Sequence, residues 1–411
     1  MKEPSYMIVI PMKESDLADP GNFMNNLTQN GIVKVNNMQF EDDRGMVVDL
    51  EVEGFGYQVI LNPVDVEIPG FVRPEHAFSE EEIKMLDEAR VGLSVCMDFE
   101  GDSNRCFYDQ LRIIDILFPK LLAVLDCPSE KLLSGKWVSL AARSAILPAP
   151  RYLFTVQAIS DGGEEVWLHT HGLKRCGLYE LEILCSKKDT FNDHYKMIET
   201  FALRMLESDE PIEPGDGVFV GQAAGKVLTL TAVDWREALE FYPDATIGTE
   251  EDRDDDVHND DTYVLMIYRN ERDEEAKRYT PVQDFDQFLD QNPMYMFSSS
   301  ETKRMSALAI ERIPYMLKAF ENKDNTIIVK VGLITDKEHW DGDTPQKEHI
   351  WFELKDVKDG SIVAELTQEP YYVSGIKAGD TGTYPFSDIT DWLIFTKENR
   401  ITPDDAYLLE M

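Results

Sequence analysis

Apolar positions near the N-terminus come in short, bounded runs. Residues 6–10 (YMIVI) read as a strand, and residues 16–30 read as a helix closed by Gly31. Residues 45–52 and 57–61 read as two more strands, separated by GFG. Pro63, Pro69 and Pro74 then punctuate the chain, which places a small α/β unit over residues 1–75.

The following stretch mixes the two periods. FSEEEIKMLDEA opens a helix, with Ser79 as its N-cap and Glu82 three residues on, the pattern of a capping box. Residues 91–99 read as a strand, residues 106–125 carry helical spacing, and residues 137–140 read as a strand. Residues 152–159 form a further strand, SDGGEE a turn, and VWLHTH and LYELEIL a pair of strands joined through GLKRCG. Residues 194–206 are helical, and residues 217–220 and 227–233 complete an α+β domain over residues 76–245.

Beyond that point the pattern loses its apolar positions. GTEEDRDDDVHNDD reads as a solvated acidic loop, and a domain junction is expected within residues 249–261, because like charges and missing apolar residues disfavour packing. Residues 246–324 are read as a connecting region: this linker, a strand at 262–268, and a helix at 300–320 bent or broken near Pro314. Residues 325–411 are β-rich. In residues 349–357, Ile350, Phe352 and Leu354 share one face and His349, Trp351 and Glu353 the other. The fold class is α+β: two mixed α/β units followed by a small β-rich domain, a curled sheet or half-barrel.

Composition narrows the function. The 411 residues are 43% hydrophobic and 10% aromatic, which suits folded domains with real cores. Asp and Glu number 78 against 40 Lys and Arg, a net charge of −38. Such a surface repels nucleic acid and anionic lipid, so neither nucleic acid nor membrane is expected as a partner. It favours a basic protein, met by electrostatic steering. The N-terminal apolar run is short and broken by Pro11, unlike a signal peptide, and no run is long enough to span a bilayer; a cytoplasmic location is expected. The five cysteines (Cys96, Cys106, Cys127, Cys176 and Cys185) show no CxxC spacing, so reduced, buried thiols are expected rather than disulfides.

The pattern HIWFELKDV, then EPYYVSGIKAGDTGTYPFSDITDW, resembles a bacterial domain-of-unknown-function family, number twenty-three fourteen. Trp351, Glu353, Gly379, Asp380, Asp388, Ile389, Asp391 and Trp392 carry the likeness. HTHGLKRCGLYELEIL and SSSETKRMSALAIER look like its companion, family forty twenty-six. Together the two would cover nearly the whole chain. The resemblance implies no catalytic residues; related small domains near bacterial toxin systems imply, by analogy, an immunity or regulatory role.

Two regions carry candidate chemistry. In VWLHTH, His169 and His171 share a strand face, and in LYELEIL so do Glu180 and Glu182; hairpin pairing would bring them together. Two imidazoles and a carboxylate make a zinc or iron(II) ligand set, with Cys176 at the turn as a further donor. The simpler reading is a polar outer face with Lys174 and Arg175 at a solvated tip, and no cofactor. In the last domain, Trp351, Glu353, His349, Asp388, Asp391 and Trp392 are the candidate partner-binding set, an aromatic anchor beside carboxylates. GxSxG, HExxH, Walker A and GxGxxG motifs are absent, and the acidic block lacks the glycine and closing glutamate of an EF-hand. A non-enzymatic protein-binding module is the leading expectation, and a metal-dependent enzyme using the His/His/Glu hairpin over residues 166–184 is the alternative.

Overall fold

The computed structural model describes residues 2–410 apart from 19, 43, 254, 255, 260, 290–292 and 297. The chain is α+β, with three sheets. It divides into two compact units, Met1–Ala142 with Pro148–Phe297, and Arg143–Leu147 with Ser298–Met411. None of the helices is long and apolar enough to cross a membrane among the described residues.

The first sheet uses β1 (Ser5–Pro11), β2 (Val33–Glu41), β3 (Gly45–Val52), β4 (Phe55–Asp65), β5 (Arg73–Pro74), β6 (Val91–Met97), β7 (Leu121–Asp126) and β8 (Lys131–Ser134), in the order β2-β3-β4-β6-β1-β7-β8-β5. The boundary expected at residue 75 is therefore absent: β6 and β7 flank β1, and the strands from β1 to β8 share one sheet. The prolines misled because Pro63 sits inside β4. Pairing with β3 ends at Leu61, so no partner there needs the missing N–H. The capping box forms as expected, with Ser79 Oγ accepting from the Glu82 amide and Glu82 accepting from the Ser79 amide. Residues 106–125 are a helix, Ser103–Leu117, followed by the buried strand β7; periodicity does not separate a buried strand from a buried helix. Residues 137–140 lie in a helix, Gly135–Ala142, rather than a strand.

One buried lysine gives this sheet a pH signature. Lys131 in β8 is 4% exposed, donates to the Arg151 carbonyl at 3.0 Å, and lies 3.4 Å from Glu75. Burial pushes its ammonium down from 10.5 to about 8, against the pull of Glu75. The fold thus binds this proton less tightly than the unfolded chain does. Stability is lowered fully below pH 8 and recovers as pH rises toward 10.5. Relative to Lys131→Met, the wild type should gain on the order of 3 kcal/mol across that window, read by urea titrations at several pH values. A flat difference would show that Lys131 is not desolvated.

The second sheet uses β9 (Thr155–Ile159), β10 (Glu165–His171), β11 (Glu180–Lys187), β12 (Val218–Ala223), β13 (Lys226–Asp234), β14 (Thr262–Tyr268), β15 (Thr280–Pro281) and β16 (Met294–Tyr295). Its order is β16-β12-β13-β14-β11-β10-β9, with β15 beside β14. The strand assigned to a connecting region, β14, is central, parallel to β11 and antiparallel to β13. One face buries Leu168, Leu181, Ile183, Leu230, Leu265 and Ile267 against Met197, Ile198, Phe201 and Met205 of the helix Phe191–Glu207. The other face packs Trp167, Leu184, Val264 and Met266 against Trp235, Tyr242 and Ile247. A sheet covered on both faces has no solvated polar side, and that decides the fate of the HTHG strand.

The second unit holds a six-stranded sheet of β17 (Thr326–Ile334), β18 (Lys347–Lys358), β19 (Ser361–Leu366), β20 (Thr381–Pro385), β21 (Ile389–Phe395) and β22 (Arg400–Ile401), ordered β20-β19-β18-β17-β21-β22. It is the curled, β-rich domain expected. The helix at 300–320 is broken near Pro314, whose ring cannot continue a helix interior but suits a first turn. Ser299–Glu311 ends, and Ile313–Phe320 restarts with Pro314 in that position. Glu311 accepts from Ser144 Oγ at 2.6 Å and from the Ala145 amide at 2.7 Å, which holds residues 143–147 in this unit.

Candidate metal centre

Strand β10 directs Trp167, His169 and His171 to the same face of the second sheet, away from Leu168. That face is covered by Trp235, Tyr242, Ile247, Arg253 and His258. His169 is 1% exposed, His171 5% and His258 6%. His258 arrives on the short helix Asp256–Asn259, inside the acidic block. The ring centroids lie 4.8 Å apart for His169 and His171, 4.4 Å for His169 and His258, and 5.1 Å for His171 and His258. One ligand nitrogen from each falls within 4.8 Å of the others. Nitrogens around a tetrahedral zinc sit at about 2 Å from the ion and so ~3.4 Å from one another.

Two of the rings, His169 and His171, are also in the right charge state. Burial pushes His169 well below the usual imidazole range, and His171, His258 and Arg253 push it the same way. Burial, then His258 and Lys174, holds His171 down at about 3. Both are neutral donors at physiological pH. Neither ring nitrogen of His169 has a hydrogen-bond partner among the described residues. A buried, unsatisfied imidazole costs about 1–3 kcal/mol for each lone polar group, and coordination would remove that cost.

The carboxylates read as ligands are committed elsewhere. Glu182 does lie opposite His169 in the β10–β11 register. However, Arg253 Nη1 donates to its Oε1 at 2.7 Å, and Nη2 to its Oε2 at 2.5 Å. Glu180 accepts from Thr170 Oγ1 at 2.6 Å and from the amides of Gly172 at 2.9 Å and Lys174 at 3.2 Å, closing the turn. Cys176 lies outside the cluster: its Sγ is 4.0 Å from the Gly172 carbonyl, and burial pushes the thiol up to about 11. The turn itself is not a solvated tip. Lys174 is 8% exposed and Arg175 fully buried, paired with Asp126 of β7.

The acidic block supplies what the hairpin lacked. Its described residues lie within the first unit, so the junction expected at residues 249–261 is not there; part of that range (254, 255 and 260) lies outside the described residues. Arg253 is 1% exposed and also donates to the carbonyls of Gly248 and His258, each at 3.0 Å. Its guanidinium sits 4.5 Å from the Trp235 ring centre and 5.3 Å from that of Trp167. Gly248 permits this approach: its φ is +76°, and a Cβ there would come within 2.7 Å of Leu184. Trp235 Nε1 donates to the Asn259 carbonyl at 2.9 Å and fixes the far end. Arg253 and His258 were the signal missed, the lone arginine and histidine in a run of acids.

Residues 5–148 match the model described as "Protein of unknown function (DUF4026) N-terminal", and residues 156–266 its C-terminal counterpart. The chain belongs to the DUF4026 family. Residues 303–403 match "Uncharacterized protein conserved in bacteria (DUF2314)". The first and third spans cover the first and third sheets, the second runs from β9 into β14 of the second sheet, and His169, His171 and His258 all fall within the DUF4026 C-terminal match. No curated protein and no solved structure matches the chain.

Elsewhere in the DUF4026 region, Ser186 Oγ lies 2.8 Å from His194 Nδ1, and His194 Nε2 lies 3.0 Å from Asp286. The order of ring nitrogens is the reverse of a nucleophilic triad, and Ser186 is fully buried, so this row of hydrogen bonds ties elements together and presents no hydroxyl to a substrate. In the DUF2314 domain, Trp392 is fully buried, with Nε1 donating to the Ala309 carbonyl at 3.0 Å; it belongs to the core, not to a partner-binding face. The Asp391 carboxylate accepts from the Trp392 amide, and burial raises its pKa. Trp351, Glu353 and His349 sit on the outer face as expected from the alternation in β18, and Asp388 lies in the 3-10 turn Phe386–Asp388 before β21. Each already has a neighbour: Trp351 lies under the Lys330 ammonium, Glu353 pairs with Lys355, Asp388 with Lys347, and His349 with Thr390.

Proposed function

We propose that this protein binds a divalent transition-metal ion, zinc or iron(II), through His169, His171 and His258. The carrying observation is three buried imidazoles with ligand atoms within 4.8 Å, among them a His169 whose two nitrogens meet no hydrogen-bond partner among the described residues. Imidazole suits both ions, and the tertiary fold replaces the glutamate of the sequence-based set with a third histidine. Chelator-treated protein should take up one zinc per chain. Free zinc at ~1,000 times Kd should add about 4 kcal/mol to stability. His258→Ala should weaken binding by ~100-fold or more while leaving the fold, read by circular dichroism. Apoprotein that neither takes up zinc or iron(II) nor gains thermal stability from them sinks this reading.

A second reading is a non-enzymatic module for a basic protein, in an immunity or regulatory role. Its support is the net charge of −38, which steers such a partner. The pre-existing neighbours of Trp351 and Glu353 lend it no separate anchor. Retention of a basic protein at low salt and its release at high salt is the test; retention of none at low salt removes this reading.

A further inference from the structure

We infer that Tyr371 and Tyr372, with His339 and Glu338 beside them, form an interaction surface on the DUF2314 domain that takes an arginine-bearing segment of a basic protein. This rests on the basic-partner reading above and gives it the anchor that Trp351 and Glu353 do not. Three observations carry it. First, the two tyrosines stand out of the fold: Tyr371 is 80% exposed and Tyr372 50%. Aromatic side chains bury more area than most when they find a partner, and an adjacent pair left in water is a surface with much to gain from one.

Second, the backbone that carries the pair is fixed. Glu348 of β18 accepts from the amides of Tyr371 and Tyr372, each at 2.8 Å. Asp336 accepts from the Ser374 amide at 2.9 Å and its hydroxyl at 3.0 Å, and the Asp336 amide donates to the Tyr372 carbonyl at 2.9 Å. Two carboxylates thus pin the main chain at and just beyond the tyrosines, by charge-assisted hydrogen bonds. An aromatic side chain on a backbone already ordered gives up little entropy when it is covered, which is what makes an anchor effective.

Third, the surroundings suit a cation. The rings of His339, Tyr372 and Tyr371 form a row, with centroids 4.6 Å and 6.2 Å apart. Glu338 lies 3.4 Å from His339 Nε2, its side chain 79% exposed, and the exposed Asp341 and Asp343 follow on the same stretch of chain. The domain already places ammonium groups on its own aromatic rings: Lys337 sits 5.7 Å from the Trp340 centroid and Lys330 5.1 Å from that of Trp351. A guanidinium stacks on an aromatic face and donates to a carboxylate at the same time, which the point charge of a lysine does less well. The net charge of −38 brings such a partner in, and the ring row selects arginine once it arrives.

The test titrates the full chain into two fluorescein-labelled peptides of equal length and charge, alternating Arg-Ser and alternating Lys-Ser, followed by fluorescence anisotropy at low salt. Long-range attraction treats the two alike, so a difference between them reports stacking. The wild type should bind the arginine peptide about tenfold more tightly than the lysine peptide. Tyr371→Ser with Tyr372→Ser leaves the net charge at −38 and should erase that preference, weakening the arginine peptide by about tenfold while the lysine peptide changes little. Tyr371→Ser alone, at the more exposed position, should give part of the same loss with the fold intact by circular dichroism. Equal affinity of the double variant and the wild type for the arginine peptide overturns this surface and leaves the basic-partner reading standing. Tighter binding of an oligoproline peptide than of the arginine peptide overturns the cationic partner, since proline rings pack on tyrosine without charge. Binding of neither basic peptide at low salt removes the basic-partner reading itself.

Discussion

Arg253→Met should lower the unfolding free energy by about 3–5 kcal/mol, measured by urea denaturation. The expected size follows from what is left behind. Glu182 is fully buried, and burial pushes its carboxyl above the usual range even with the guanidinium countering it. Methionine fills the volume but strands a buried carboxylate and frees the carbonyls of Gly248 and His258. The double variant Arg253→Met with Glu182→Leu should recover most of the loss, because removing both charges also removes their desolvation. Zinc affinity should fall in the single variant as well, since Arg253 holds the backbone of His258 in place. A loss below about 1 kcal/mol would show that the pair is solvated and that the acidic segment is not anchored as described.

Arg175→Met should have a comparable effect, about 3–5 kcal/mol, at a different seam. Its guanidinium donates to Asp126 Oδ1 at 2.6 Å and Oδ2 at 2.8 Å, to the Leu153 carbonyl at 2.7 Å, and to Ser5 Oγ at 3.2 Å. The rings of Phe99 and Phe107 lie 5.6 and 5.4 Å from it. Ser5 and Asp126 belong to the first sheet, and Arg175 to the turn of the second, so this one side chain joins the two. Hydrogen exchange should show the amides of β1 and β7 losing protection together with those flanking the turn. If exchange rises only around the turn, the pair is a local contact and not a joint between sheets. Asp126→Leu in the Arg175→Met background should restore much of the stability, for the reason given at Arg253.

Local rules were readable wherever their cause was local. Ser79 and Glu82 lie three residues apart and cap one turn. The alternation in residues 349–357 places Ile350, Phe352 and Leu354 in the core because a strand's period is two. Pro314 breaks a helix wherever it falls in one, since its ring removes a donor. That His169 and His171 share a sheet face with Glu180 and Glu182 was also readable, because matching the apolar faces of the two strands brings the polar ones together.

The α+β class, the separate β-rich C-terminal domain and the two strand histidines were thus determined by the sequence itself. Tertiary structure decided that β6 and β7 join the first sheet, that Lys174 and Arg175 are buried, and that Glu182 serves Arg253 instead of a metal ion. It also decided the third imidazole. Glu182 and Arg253 are 71 residues apart, so no helical or strand period connects them. An acidic run reads as solvated because its charges repel one another. Here two of its members, Arg253 and His258, are not acids, and they meet a buried carboxylate on β11 and two buried histidines on β10. Whether a polar strand face meets water or another segment depends on which distant residues fold across it, and that complementarity exists only once the chain has closed on itself.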